Sequence, residues 1–288
     1  MKPYQHTANL DRAGWTGWMI RSDRGRLRLT GADALEFLQA LVSNDVAALQ
    51  VGQSCDAVYL TPQGRMITDM RVFRGDGEVI VSVPAELSAT LVMRLDFLIF
   101  AEDVQIADAS QLIHEITLVG ATMAHTKDIF FEAEQQAAVC AELSADGLPE
   151  LTAADAEAMR IEAGRARWGL DMNEETIPLE AGLLERAISQ TKGCYVGQEV
   201  IIRVLHRGGG RVAKRLMKIT LGPALSGLPP SGTPITIGGL EVGKITSAAR
   251  SRRLSRIVAL GYVERDHAHE GTAVMVGSTA AVIGGNAT

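Results

Sequence analysis

The chain changes its hydrophobic rhythm several times, and each change marks an element. Residues 26–30 alternate apolar and polar positions and predict a strand. Over 32–42 the apolar positions Leu35, Leu38, Leu41 and Val42 return on one helical face. Asp33 stands near the start of that helix, where a carboxylate suits the dipole, and Ser43-Asn44-Asp45 reads as its stop. Strands are predicted over 56–60 and 66–74 around the turn Thr61-Pro62-Gln63-Gly64. Gly75-Asp76-Gly77 is a hairpin turn into 78–83, where Val79, Val81 and Val83 share one face. Pro84 suits the first position of a following helix, because its missing N–H has no partner to lose there. Leu87, Leu91, Leu95 and Leu98 give that helix an apolar stripe, and a strand follows over 115–119. The order β-α-β-β-α-β predicts an α+β protein of ferredoxin-like units in place of a doubly wound sheet. No Rossmann or P-loop glycine pattern is present.

Residues 152–163 read as a helix, with Thr152 and Asp155 as a capping box and Gly164 at the C′ position. Residues 197–206 also read as helical, with Val200, Val204 and Leu205 on one side and Gly208-Gly209-Gly210 as the end. Beyond residue 211 the texture becomes short β-rich segments at 214–221, 234–237, 240–246, 257–263, 272–276 and 280–283. Glycine and proline turns separate them, including the loop Pro229-Pro230-Ser231-Gly232. That spacing predicts a small antiparallel barrel. The domain boundary is expected near residue 212, dividing the chain into 1–212 and 213–288.

Composition narrows the classes. Aromatics make up only 5% of the chain, so aliphatic side chains must supply most of the core. With 28 basic against 34 acidic residues the net charge is -6, which argues against a general polyanion binder, and no nucleic acid partner is expected. The cluster Arg250, Arg252, Arg253 and Arg256 reads as a solvated loop. Cys55, Cys140 and Cys194 are widely spaced and contain no C-x-x-C pair, so neither a disulfide framework nor a resident metal site is expected. His267 and His269 have no nearby cysteine to complete a metal set. A reducing cytoplasm fits this cysteine usage, and Met1 to His6 lack the apolar run of a signal peptide. The densest apolar stretch, 87–101, is interrupted by Arg94 and Asp96, so no membrane span is expected.

The densest chemistry lies at Lys192-Gly193-Cys194-Tyr195-Val196-Gly197-Gln198-Glu199, with Arg203 four residues on. Lys192 supplies a charge, Gly193 a flexible hinge, and Cys194 stands just before a helix expected to begin near Gly197. A thiol beside a lysine at a helix start can have its pKa lowered. A small buried cysteine in a glycine turn is the other reading, and spacing alone leaves the two open.

This segment resembles the signature of the YgfZ-type family, folate-binding relatives of the glycine cleavage T protein implicated in iron–sulfur cluster assembly and repair. The resemblance continues along the chain in order. It takes in Ser43-Asn44-Asp45-Val46 with Gly52, and Leu60-Thr61-Pro62-Gln63-Gly64-Arg65 leading to Asp69. Next come Arg160-Ile161-Glu162-Ala163-Gly164 with Trp168-Gly169 and Ile177-Pro178, then Gly243-Lys244-Ile245-Thr246-Ser247-Ala248 and Ala259-Leu260-Gly261-Tyr262-Val263. It implies a three-lobed ring of two ferredoxin-like lobes and a barrel, with tetrahydrofolate or a one-carbon derivative at the centre.

For individual residues, the resemblance implies that Glu162 holds the pterin, accepting from its ring N–H and amino group; a surface glutamate on a capped helix is the alternative. Trp168, Tyr195 and Tyr59 are candidates to cover the flat rings. Arg203 would meet a folate carboxylate or pair with Glu199. Asp69 matches the aspartate that lies beside the reactive folate nitrogens in the aminomethyltransferase branch, the alternative being an ion pair with Arg71 or another cation. Asp69, Cys194 and Lys192 are thus the candidate catalytic residues. Thr68 stands where the transferase branch has a second acid.

The leading expectation is a tetrahydrofolate-binding accessory factor for iron–sulfur client or assembly proteins, with Cys194 beside the folate pocket. One cysteine cannot hold a cluster alone, so any cluster contact would be shared with a partner. A folate-dependent aminomethyltransferase, whose branch lacks the cysteine, and a folate-free interaction scaffold remain open. The central geometric expectation is that the Cys194 turn and Glu162 meet at the wall of one cavity.

Overall fold

The computed structural model describes residues 14–207, 209–222 and 227–288; the segment Met1 to His6 and Gly208, discussed above, lie outside them. The chain begins with β1 (Trp15–Ile20) and β2 (Arg24–Thr30), then α1 (Ala34–Leu41), β3 (Ser54–Leu60), β4 (Met66–Arg74) and β5 (Glu78–Pro84). After a 3₁₀ turn at Ala85–Leu87 come α2 (Ser88–Asp96), β6 (Gln105–Asp108), β7 (Ile113–Gly120) and β8 (Thr126–Glu132). The expected elements in this half are present. One local detail differs. Pro84 closes β5 instead of opening a helix. Asp33, at the N-cap of α1 as its place near the helix start requires, uses its carboxylate to accept from the Asp103 N–H (2.8 Å).

The first sheet has the order β3-β4-β5-β2-β6, with every pair antiparallel. The run β4-β5-β2-β6 with α1 and α2 makes a βαββαβ unit of the expected kind, but β6 closes it; the strand expected over 115–119 is β7 of the second sheet, and β3 is added at one edge. Leu27, Leu29, Val72 and Val81 on one face of this sheet bury against Leu38 of α1 and Leu91 and Leu95 of α2. The second sheet is smaller, β1-β7-β8. Its outermost strand is extended by Pro149 and Leu151, whose backbone groups bond to Trp18 (3.0 and 2.8 Å). Trp18, Ile116, Leu118 and Phe131 form its core with Val139 and Leu143 of α3 (Gln136–Ala145). Because β1 pairs with β7 across the whole intervening first lobe, the two lobes are interleaved.

α4 (Ala153–Ala163) starts where the sequence places it. The Thr152 hydroxyl accepts from the Asp155 N–H at 3.1 Å, and Gly164 ends the helix at φ 76°, a conformation that suits a residue without Cβ. Two short helices follow, α5 (Leu184–Ala187) and α6 (Gln198–Ile202), the latter running into a π turn over Arg203–Arg207. The barrel contains β9 (Lys214–Leu221), β10 (Pro234–Ile237), β11 (Leu240–Ser251), β12 (Arg256–Glu264), β13 (Ala273–Val276) and β14 (Thr279–Asn286). It closes in the order β10-β11-β12-β9-β14-β13. Ile219, Ile235, Val242, Ala259 and Ile283 fill its interior.

The barrel is fastened to α4 through charge. Arg160 donates to Asp171 (2.6 Å) and to Ser247 of β11 (3.0 Å), and the Asp171 carboxylate also accepts from Thr246 and Ser247. Asp171 is fully buried. Arg252 and Arg253 in the β11–β12 turn pair with Asp155 and Glu162 of α4, so part of the expected solvated basic loop is a docking contact. No helix of the described residues is long and apolar enough to cross a membrane.

Removing one partner of a buried pair strands the other charge. Asp171→Ala is therefore expected to lower unfolding free energy by roughly 3–5 kcal/mol in urea denaturation. A loss of less than about 1 kcal/mol, the scale of exposed pairs, would show that the joint is held otherwise.

Candidate functional site

The two sheets face each other across polar side chains, and a cavity of about 790 Å³ lies between them, α4 and the loop after it. One end of the sheet interface is apolar, where the Phe73 and Phe130 rings lie 5.0 Å apart beside Ile80 and Ile113. The remainder is charged. β4 places Asp69 and Arg71 on the same face two residues apart, as strand periodicity requires. Arg71 reaches across to Asp128 of β8 (2.7 Å) and sideways to Asp56 of β3 (3.2 Å). Ser82 of β5 donates to the buried Glu115 of β7 (2.6 Å). Burial and then the neighbouring Asp128 push the Glu115 carboxyl above its ordinary range, against the opposing pull of Arg21 and Arg24.

Asp69 is held on one side only. Its Oδ2 accepts from Arg24 at 2.9 Å, while Arg24 also donates to the Ser82 carbonyl at 2.7 Å. The other oxygen, Oδ1, is buried and has no hydrogen-bond partner among the described residues. A buried acceptor left unpaired is costly and calls for a donor from elsewhere. Trp168 lies on the same cavity wall in the loop after α4, alongside Arg165 and Arg167.

Of the candidates from sequence, Asp69 and Trp168 are the two that line this cavity. The ion-pair alternative for Asp69 is also realised, with Arg24 as the cation in place of Arg71. Tyr59 points to the opposite side of its strand, buried in the first lobe's core with the Arg94 guanidinium 5.7 Å from its ring centre. Glu162 turns toward the barrel, where Arg253 holds it at 2.5 and 2.8 Å. The carboxylate that α4 contributes to the cavity is Glu157, five residues earlier. Arg203 pairs with Glu199 at 2.6 Å, both side chains being exposed.

The Lys192–Tyr195 segment is also elsewhere. Lys192 is 9% exposed, and its Nζ donates to the carbonyls of Gln39 (2.6 Å), Val42 (2.6 Å) and Asn44 (3.1 Å) at the C-terminal end of α1. Burial pushes this ammonium down to about 8, against the pull of Asp45 and Cys55. Tyr195 is buried in the cluster joining the first lobe to α4 and the barrel, its ring centre 5.3 Å from Lys192 Nζ. Cys194 is exposed and does not line the cavity. The expected meeting of Cys194 and Glu162 at one cavity wall is therefore not what the fold produces. The lysine is spent on sealing a helix end, because the Gln39 carbonyl in the last turn of α1 and the Val42 carbonyl at its cap need donors.

Arg24, Glu115, Asp128, Glu157, Arg165 and Arg186 line the cavity and were not singled out from sequence; Arg71 was named only as a possible partner of Asp69. A signal existed in the strands. Asp69 with Arg71 and Glu115 with Thr117 put polar side chains at alternate positions inside otherwise apolar runs.

Comparison with known proteins agrees with this architecture. Residues 19–127 match the GCVT N-terminal domain, and residues 214–283 match the glycine cleavage T-protein C-terminal barrel domain. The chain belongs to the glycine cleavage T-protein superfamily. It is 27% identical over 293 residues to a chloroplastic Arabidopsis thaliana protein named as a transferase; the match covers 88% of this chain and 66% of that protein's length. It is 28% identical over 298 residues to the aminomethyltransferase of Thermosynechococcus vestitus, covering 88% of this chain and 78% of the relative. The crystal structure of the glycine cleavage system aminomethyltransferase T from Bartonella henselae superposes with a TM-score of 0.79 at 19% identity, covering 94% of this chain and 85% of that one.

Two outcomes follow for the thiols and Lys192. Burial and Asp56 push Cys55 up to about 11, and burial raises Cys140. Brief iodoacetamide treatment of the folded protein near pH 7.5 is expected to alkylate Cys194 selectively, as read by peptide mass mapping. Lys192→Met is expected to destabilise the fold by about 1.5–3 kcal/mol, the scale of hydrogen bonds to a charged group, while Cys194 alkylation keeps its rate. A marked slowing of alkylation would mean that Lys192 does activate the thiol.

Proposed function

We propose that the central cavity binds a reduced folate, and that the protein acts as a tetrahydrofolate-binding accessory factor of YgfZ type for iron–sulfur proteins. The observation carrying the folate reading is Asp69 Oδ1, a buried acceptor on the cavity wall without a partner among the described residues. A reduced pterin offers ring N–H donors on a flat heterocycle. Asp69 Oδ1 accepts one of them, Arg24 fixes the carboxylate's orientation through Oδ2, and Trp168 supplies an aromatic face. The cavity volume is within the range of small-molecule sites. The resemblance to folate-binding relatives of the glycine cleavage T protein points to tetrahydrofolate as the ligand. When bound, the folate supplies one-carbon chemistry at its nitrogens.

The iron–sulfur part of the reading rests on the K-G-C-Y segment and on the exposure of Cys194, which leaves its thiol open to a partner protein. Iron–sulfur client or assembly proteins are the partners, met at the surface and outside the folate cavity. A cytoplasmic setting goes with that role.

A folate-dependent aminomethyltransferase is the second reading, favoured by Asp69 on the cavity wall and by the aminomethyltransferase relatives. Against it, the residue before Asp69 is Thr68, fully buried with its hydroxyl donated to the Asp69 carbonyl (2.8 Å), so that position holds no second acid.

Titration with tetrahydrofolate is expected to change tryptophan fluorescence, and Trp168→Phe to remove most of that change. Asp69→Asn is expected to weaken binding at least tenfold, or about 1.4 kcal/mol. Unchanged affinity would remove Asp69 from the site, and no binding at all would favour the folate-free scaffold. Cys194→Ala is expected to preserve folding and folate affinity while losing support of cluster enzymes in cells. Robust formation of methylene-tetrahydrofolate from an aminomethyl-carrier protein would establish the second reading instead.

A further inference from the structure

Past Asp69 along β4, the cavity wall has a different electrostatic character. Arg71, on the same strand face, shares Asp56 with Arg186 of α5; the carboxylate lies 3.2 Å from the first guanidinium and 3.3 Å from the second. Asp128 takes the remaining side of Arg71. Arg165 joins them on the wall and has no ion pair among the described residues. The one hydrogen bond of its guanidinium among the described residues is long, 3.5 Å to the Ala124 carbonyl. Arg186 Nε is buried and also lacks an acceptor among the described residues. Three guanidinium groups thus share two carboxylates. The imbalance registers on Arg165, whose pKa is pushed down to about 10 by burial first and by the charge of Arg186 second.

Each guanidinium carries a rigid fork of N–H donors, and such forks match carboxylate geometry in bidentate fashion. A third carboxylate at this end would pair the leftover positive charge and satisfy the idle donors. It would also relieve the Arg165–Arg186 repulsion. We propose that Arg165 and Arg186, backed by Arg71, form a carboxylate-binding subsite at this end of the cavity, beyond Asp69. This rests on the folate reading for its nearest source of carboxylate, the glutamate tail of the folate itself. A separate small dicarboxylate entering the same cavity presents the same chemistry.

The test uses the full chain and three probes in calorimetric titrations: tetrahydrofolate, its diamide with both carboxylates converted to amides, and glutarate. Wild type is expected to bind tetrahydrofolate at least tenfold more tightly than the diamide, and Arg165→Gln to erase that preference while leaving diamide affinity unchanged. Arg165→Lys, which keeps the charge and loses the fork, is expected to retain only part of the preference; it also guards against a folding defect in the glutamine variant. Equal wild-type affinity for acid and diamide, together with glutarate binding abolished in Arg165→Gln, would assign the subsite to a separate carboxylate. Equal affinity without glutarate binding would overturn the proposal, even with tetrahydrofolate bound. If neither pteridine binds, the folate reading fails on its own, and glutarate binding alone decides whether the subsite exists.

Discussion

Everything at the centre of this protein depends on two β-sheets that meet through charged and polar side chains. Sheets that bury apolar faces close together at about 10 Å with interdigitated side chains and leave no room between them. Here only one end behaves that way, at Phe73 and Phe130. Elsewhere Arg71 to Asp128 and Ser82 to Glu115 span the gap. Buried ions persist only when paired, so every charge in the gap needs an opposite number. Where the protein supplies all of them the wall is finished. Where a group is left short, as at Arg165 without an ion pair among the described residues and at Asp69 Oδ1 without a donor despite the Arg24 pair on Oδ2, the wall is chemically incomplete.

The position of Lys192 alters how the most distinctive stretch of the chain should be understood. Its ammonium closes the end of α1 and the Ser43–Asn44 loop. Ser43 in turn donates to the Ala187 carbonyl (2.6 Å), and Asn44 to the Asp56 carbonyl (2.7 Å). Asp56 is the carboxylate shared by Arg71 and Arg186. The segment around Cys194 therefore reaches the cavity through the backbone it braces, while the thiol itself faces solvent.

Much of the architecture was legible from periodicity. The βαββαβ order, the Thr152 cap, the Gly164 stop and six barrel strands all rest on local patterns that tertiary contacts reinforced. The unforeseen elements lacked such patterns. β6 is a mostly exposed edge strand of four residues, β1 is interrupted by Gly17, and α3 buries little beyond Val139 and Leu143. At the site, Asp69 was legible because it matches the site aspartate of the aminomethyltransferase branch, and strand periodicity then fixes which face it occupies. Glu162 misled because its motif fixes a helix position but not which of two neighbours the side chain will face. Arg165 and Arg186 lie on loop and short-helix backbone without periodicity, so nothing local announced that they would converge.

The pairing of β1 with β7 has a consequence for biosynthesis. β1 leaves the ribosome before any other described strand, yet its partner is made only after the complete first lobe. Trp18 and Ile20 must wait for Leu118 and Ile116. In the interval the first lobe can fold on local contacts, while an apolar strand hangs from its leading end with an unpaired edge. Completion of the second sheet, and with it the charged gap, thus becomes a late event in the nascent chain. A nascent chain that has emerged only as far as β6 would be a folded lobe bearing a sticky tail.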